Sequence, residues 1–440
     1  MNDSKRIIAH IGLGAFHRAH QAWFTQNATD AQHWSIVAFT GRSAKAADEL
    51  NAQNCNFTLV ERSAEGDRFE PMDIISDAYA AQDELAFIET IADPRCTVVT
   101  LTITEAAYGM DSNGNVDLAN PPAALRKLAH ALAHRAQRDA GPINIVPCDN
   151  MPSNGRLMKI AMGQLVTSLE PSIGDWLENN VSFISTSVDR ITPKTTDQDI
   201  ALVLEKTGFA DRSPVITEPF KSWVLSNDFG APCPDWASAG AEIVDEVEPF
   251  EKRKLWLLNG AHSILAYAGL LNGHETVDQA IADAECRALV LSFWGEACEQ
   301  LNYPGLALEQ YQAQLLERFK NPRISHRLEQ IAIDGATKLA VRVAPIIEAR
   351  MASDTSVDAS IEALCSWIRF VENREQVQDA KAHQIESAKS TPGDRERVAA
   401  LIAIISEPLA QNQAFIDRIH LNLEGKKFNQ DGNRLPETRK

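Results

Sequence analysis

The sequence predicts an α/β half followed by a mostly α-helical half, and three observations carry that prediction. A short apolar run at 6–11 meets a Gly12-x-Gly14 turn and then a helix-like pattern. Strand-like and helix-like stretches continue to alternate as far as residue 245. From Pro249 onward the pattern is almost wholly helical. Alternation of this kind builds a mostly parallel sheet covered by helices, whereas an unbroken helical run builds its own layer. The expected architecture is a Rossmann-type dinucleotide-binding domain over residues 1–245 and an α-helical substrate or catalytic domain over residues 246–440.

Composition bounds the partners. A chain of 440 residues is long enough for two hydrophobic cores. With 42 basic and 60 acidic residues its net charge is -18, which argues against nucleic acid or an anionic membrane as partner. An anionic small molecule would need a local cluster of basic side chains. No stretch approaches the length of a membrane span, and the polar start does not resemble a signal peptide, so a cytoplasmic protein is expected. Seven cysteines without a C-x-x-C spacing read as reduced thiols.

Taken in order, the stretch 6–20 reads as a buried strand, a glycine turn and a helix start. Gly12 and Gly14 let the backbone turn tightly and approach a pyrophosphate, although His17 stands where the usual third glycine would be. The second strand, 34–40, ends in Gly41-Arg42-Ser43. An acidic residue there would accept from ribose hydroxyls and an arginine can take a 2′-phosphate, so NAD against NADP stays open. The stretches 57–62 and 73–76 read as strands of a small antiparallel excursion. The β-branched run 97–105 reads as a strand that brings Thr104 and Glu105 to the edge where cofactors bind.

The stretch 122–138 is helical by period. Its His130 and His134 stand at i, i+4, but among Arg126, Lys127, Arg135 and Arg138 they read as a solvated face, and no metal is expected. The strand 143–147 runs into an Asn-rich turn holding Asn150. The alternating stretch 181–193 carries Asp189 and Arg190, and 215–225 reads as one last edge strand. Periodic helices are expected near 276–301, 308–319, 324–352, 356–372 and 395–420.

The chemistry falls on the stretch 251–262. On an α-helix with Lys254 at 0°, Glu251 stands near 60°, His262 near 80° and Asn259 about 140° away. A lysine, an amide and an imidazole on one arc can move a proton and hold an oxyanion, and they can equally be the polar stripe of an amphipathic helix.

Several motifs in order resemble those of the polyol-specific long-chain dehydrogenases, the mannitol dehydrogenase family. They are Gly12-x-Gly14-x-Phe16-His17-Arg18-Ala19-His20, Leu101-Thr-Ile-Thr-Glu105, Cys148-Asp-Asn-Met-Pro-Ser-Asn-Gly155, Val188-Asp-Arg-Ile-Thr-Pro193 and Glu218-Pro-Phe-x-x-Trp-Val-Leu225. The most specific is Lys254-x4-Asn259-x2-His262. The resemblance spans nearly the whole chain. It implies metal-independent hydride transfer between a nicotinamide, expected to be NAD, and a secondary alcohol or ketone, in a monomer with its active site in the cleft between the domains.

It also implies the roles. Lys254 is the general base, Asn150 and Asn259 stabilise the oxyanion, His262 orients the substrate hydroxyl and Glu251 relays the proton. Asp189 and Lys338 bind substrate, and Gly12, Gly14, Phe16, His17, Arg42, Thr104 and Glu105 bind cofactor. The stretch 326–335, with Gln330, is more similar to the fructuronate reductase (D-mannonate oxidoreductase) branch than to the mannitol and arabinitol enzymes. A carboxylate substrate would need a cation, which Lys338 with Arg323, Arg327 or Arg342 can supply. The rivals are a decarboxylating hydroxyacid dehydrogenase, a zinc alcohol dehydrogenase and a sensor that binds a dinucleotide without turnover.

Overall fold

The computed structural model describes residues 5–104, 107–111 and 114–425. The chain divides into two compact units, Met1–Glu248 and Pro249–Lys440. The first unit contains twelve strands among the described residues: β1 Arg6–Ile11, β2 Trp34–Phe39, β3 Phe57–Arg62, β4 Asp67–Met72, β5 Ile75–Tyr79, β6 Cys96–Leu101, β7 Ile143–Pro147, β8 Val181–Phe183, β9 Thr186–Asp189, β10 Val215–Thr217, β11 Ser222–Ser226 and β12 Glu242–Val244. Six of them form a sheet in the order β5-β2-β1-β6-β7-β8, with every pairing parallel. The strand order reverses between β1 and β6, and the crevice at such a reversal is where open α/β sheets bind their ligands.

Both faces of this sheet are covered. On β1, Ile7, Ala9 and Ile11 enter one buried cluster with Leu125, Leu128 and Leu132 of the helix Ala123–Gln137. Ile8 enters the other, with Trp23, Phe24 and Trp223. The period of two along the strand is therefore satisfied by apolar layers on both sides, as a parallel sheet requires. Each fully buried leucine of that helix contributes on the order of 2 kcal/mol by leaving water.

Four expectations need correction here. The 73–76 stretch does not join an antiparallel excursion; β5 lies parallel to β2 at the edge of the main sheet, and the antiparallel pair is β3 with β4. The strand expected over 97–105 ends at Leu101, because the next residues leave the ladder to meet the glycine turn: Thr102 N–H donates to the Ile11 carbonyl and its hydroxyl to that of Gly12. The stretch 215–225 is two strands in different sheets, β10 beside β3 and β11 between β9 and β12. Pro219 lies between them and has no N–H for a ladder.

The fourth concerns Arg135, expected on a solvated face. It is fully buried and donates to the carbonyls of Ile91, Asp93, Ala140, Gly141 and Pro142 at 2.6–3.1 Å. A guanidinium has five donors, and here they fasten the ends of two helices to the start of β7.

The second unit is helical among the described residues, from Glu248–Arg253 to Gln413–Gly425. The stretch 324–352 is three helices, Leu328–Ala332, Gly335–Arg342 and Ala344–Ala352. Left-handed Asp334 (φ 57°) starts the second and Pro345 sits in the first turn of the third. A helix Ala382–Lys389 was not anticipated.

Candidate active site

In the first unit, a cavity of about 530 Å³ opens over the carboxyl ends of β1, β2 and β6. Its lining includes Gly12, Phe39, Arg42, Thr102, Thr104 and Lys127. Gly12 has φ 106°, and a Cβ there would lie 2.1 Å from the Thr102 carbonyl oxygen. Only glycine satisfies both the dihedral and the close approach. A turn that has no room for a side chain at the crevice of a parallel sheet fits a dinucleotide.

Of the residues expected at a cofactor, Gly12, Arg42 and Thr104 line this cavity. Gly14 precedes the short helix Ala15–Ala19 as its cap and is outside the lining. Phe16 stacks on His20 with ring centres 5.0 Å apart. His17 is fully buried and stacks on His10 at 3.3 Å, where burial first and then His10 hold its pKa well below the ordinary value. Neither lines the cavity. Glu105 lies outside the described residues. Sequence reasoning missed Lys127, which it placed on a solvated face; its ammonium donates to the Ala81 carbonyl at the cavity wall.

The turn carrying Asn150 is fastened to the cavity loop by the residue before it. Buried Asp149 accepts from the Ile103 N–H at 2.5 Å and from the Tyr108 hydroxyl at 2.6 Å. Burial pushes its carboxyl up to about 7, against the two donors that favour the charged form. Asn150 itself is exposed, and Asp189 ends β9 opposite Ser222 of β11.

In the second unit the 251–262 stretch is not a uniform α-helix. The α-helix Glu248–Arg253 passes into a π-helical segment, Lys254–Gly260, and returns to α over Ala261–Leu271. This revises the angular placement made at α pitch. In π geometry the backbone bonds run i→i+5, so residues five apart are one turn apart. Lys254 and Asn259 have that spacing, which brings them closer together around the axis than α pitch would. His262 follows Asn259 at i+3 in resumed α geometry and shares its face, as does Glu251 at i-3 from Lys254.

Groups from neighbouring helices support the widened turn. Trp294 Nε1–H donates to the Leu257 carbonyl at 2.8 Å, and Arg342 Nη1–H to the Asn259 carbonyl at 3.1 Å. Gly260 closes the segment where a Cβ would lie 2.7 Å from the Phe293 ring. π segments of one turn occur often at functional sites.

His262 is buried against Phe319 and His326, each with ring centres 5.0 Å from its own. Burial, then His326, Arg318, Arg342 and Lys338, hold its pKa well below the ordinary value, so the imidazole is neutral. Lys338 and Arg342 stand at i, i+4 on the helix Gly335–Arg342. Lys338 Nζ donates to the Ile331 carbonyl at 3.0 Å, and burial followed by Arg342 lowers its pKa. Gln330, Arg323 and Arg327 are exposed, and Arg327 lies 3.9 Å from Glu275. Nothing in the spacing distinguished Arg342 from those two arginines.

A parallel sheet with a glycine turn at its crevice, together with a helical unit bearing lysine, amide and imidazole on one face, defines a nucleotide-dependent oxidoreductase. The chain belongs to the mannitol dehydrogenase family, whose members act on secondary alcohols. Residues 6–238 match the mannitol dehydrogenase Rossmann domain and residues 246–426 the mannitol dehydrogenase C-terminal domain. The chain is 30% identical to D-mannonate oxidoreductase of Escherichia coli strain K12, over 94% of this chain and 90% of that one. It is 36% identical to D-arabinitol 4-dehydrogenase of Ralstonia nicotianae, over 78% of each. The structure of Pseudomonas fluorescens mannitol 2-dehydrogenase in ternary complex with NAD and D-mannitol is similar with a TM-score of 0.77 and 29% identity, covering 96% of this chain and 92% of that one. Among the described residues, no helix is long and apolar enough to cross a membrane.

Proposed function

We propose that this protein is a metal-independent, NAD-dependent dehydrogenase of a sugar acid, with D-mannonate and D-fructuronate as its alcohol and ketone. The observation that supports the reading is the π segment Lys254–Gly260, whose wider turn brings Asn259 back toward Lys254 and is followed by His262 one turn on. When bound, the nicotinamide exchanges the hydride. Gly12, Arg42 and Thr104 at the first unit's cavity are assigned to holding the dinucleotide. Lys254 takes the hydroxyl proton in oxidation and returns it in reduction, with Glu251 relaying it. Asn259 and Asn150 donate to the substrate oxygen as it gains negative charge. Neutral His262 orients the reacting hydroxyl, while Asp189 and Lys338 bind others along the chain.

The acid rather than the neutral polyol is favoured by the cations around His262 in a protein of net charge -18. The similarity to D-arabinitol 4-dehydrogenase supports a second reading, a neutral polyol. Arg42, where an acidic residue would accept from ribose, makes NADPH the necessary comparison. The test is oxidation of NADH and NADPH against D-fructuronate, D-tagaturonate, D-fructose and D-xylulose with chelator present. Fast turnover of D-fructuronate is expected. Preference for D-fructose would move the enzyme to neutral polyols, and silence with every ketone would leave a dinucleotide sensor.

A further inference from the structure

Arg342 is a half-buried cation with no carboxylate partner among the described residues. Its Nη1 donates to the Asn259 carbonyl at 3.1 Å and to Ser263 Oγ at 3.0 Å. Its Nε is sealed from solvent with no acceptor, and Nη2 makes no hydrogen bond among the described residues. Nε and Nη2 form one edge of the guanidinium, the side-on fork that grips a carboxylate with two parallel bonds. A buried donor without an acceptor destabilises the fold unless something completes it.

The neighbours point the same way. Lys338 lies one helical turn before Arg342, and neither it nor Arg342 forms an ion pair with a carboxylate among the described residues. The acidic groups nearest Lys338 are already engaged with backbone amides: Asp379 accepts from Ala336 and Lys381, and Asp334 accepts from Ala380. His326 has a buried Nδ1 with no partner and packs edge-on to His262. With Arg318, which acts on both His262 and His326, four basic side chains therefore gather around His262 and Asn259, in a protein that is acidic as a whole.

We propose that Arg342, flanked by Lys338 and His326, is the subsite for the substrate's carboxylate and the residue that sets preference for a sugar acid over a neutral polyol. The proposal rests on the dehydrogenase reading and adds to it the means of discrimination. Because Arg342 also holds the carbonyl of Asn259, the carboxylate end and the reacting end of the substrate are registered against one another through a single side chain. A guanidinium used in this way has no equivalent in lysine, which offers a point charge in place of a planar fork.

The experiment compares D-fructuronate with D-fructose, which share the reacting ketone and differ at the far carbon, carboxylate against hydroxymethyl. Removing Arg342 also loosens the π segment, so the readout is the ratio of the two kcat/KM values and not either alone. In Arg342→Gln the fructuronate-to-fructose ratio should fall about 100-fold, and Arg342→Lys should recover only part of it. An equal loss for both ketones would overturn the subsite while leaving hydride transfer intact. Calorimetric titration of D-mannonate and D-mannitol into the enzyme with NADH, which cannot oxidise either alcohol, reads the same preference without turnover. Tighter mannonate binding that disappears in Arg342→Gln supports the subsite, and equal affinity for both in the unsubstituted protein overturns it. Inactivity toward every ketone would sink the dehydrogenase reading, with the titration still deciding the anion site.

Discussion

The two units build their candidate sites by different physical means. In the first, the cavity is shaped by backbone: a glycine held at positive φ against a facing carbonyl, and two loops fastened together by the Asp149 carboxylate. In the second, the site is made of side-chain chemistry carried on a helix whose pitch has been changed. Shape there comes from Trp294 and Arg342 engaging the carbonyls of the widened turn. One site depends on a position where no side chain fits; the other depends on which side chain stands at each position. Substitutions in the two should therefore separate affinity for the dinucleotide from chemistry.

The largest effect is expected from Lys254→Ala. Loss of a positioned general base costs roughly 10²–10⁴-fold in kcat. NADH affinity, read by fluorescence titration, should stay within about two-fold, because no part of the first unit's cavity is altered. Gly12→Ala should do the reverse. It forces a side chain into positive φ and against the Thr102 carbonyl, a strain of about 1–3 kcal/mol that relaxes by displacing the turn. NADH affinity should fall about 10- to 100-fold, with kcat at saturation changed far less.

The smallest effect sharpens the comparison through pH. Asp149 titrates at about 7 in the folded protein, well above the usual carboxylate value. Its protonated form is thus favoured by folding. The stability it contributes is complete below about pH 4 and is lost as pH rises through 7. From pH 5.5 to 7 the natural protein should lose roughly 1.5 kcal/mol relative to Asp149→Asn, measured by urea unfolding at each pH. Parallel stability curves for the two proteins would show that the clamp does not titrate there.

What the sequence made legible follows the same division. The glycine turn was readable because a positive-φ demand after a buried strand leaves few residues that fit. The alternation of apolar runs disclosed the sheet and its helices. The order Lys254, Asn259 and His262 was readable as spacing, but the change of helical pitch between them was not. Rotation at 100° per residue placed Asn259 far around the helix, and the π turn depends on donors from Trp294 and Arg342, remote in sequence. Arg135 and Arg342 were illegible for a related reason. Arginine is usually exposed, and only tertiary structure shows carbonyls converging on the first and a carbonyl and a hydroxyl anchoring one end of the second.

The most direct test of the account is a double-mutant cycle on Lys254→Ala and Asn259→Ala, with kcat for D-fructuronate reduction as the readout. If the π turn aligns both groups on one oxygen they act as a unit. The double variant should then lose little more than Lys254→Ala alone. Losses that simply multiply would mean that the two side chains act independently, and would contradict the alignment on which the proposed mechanism stands.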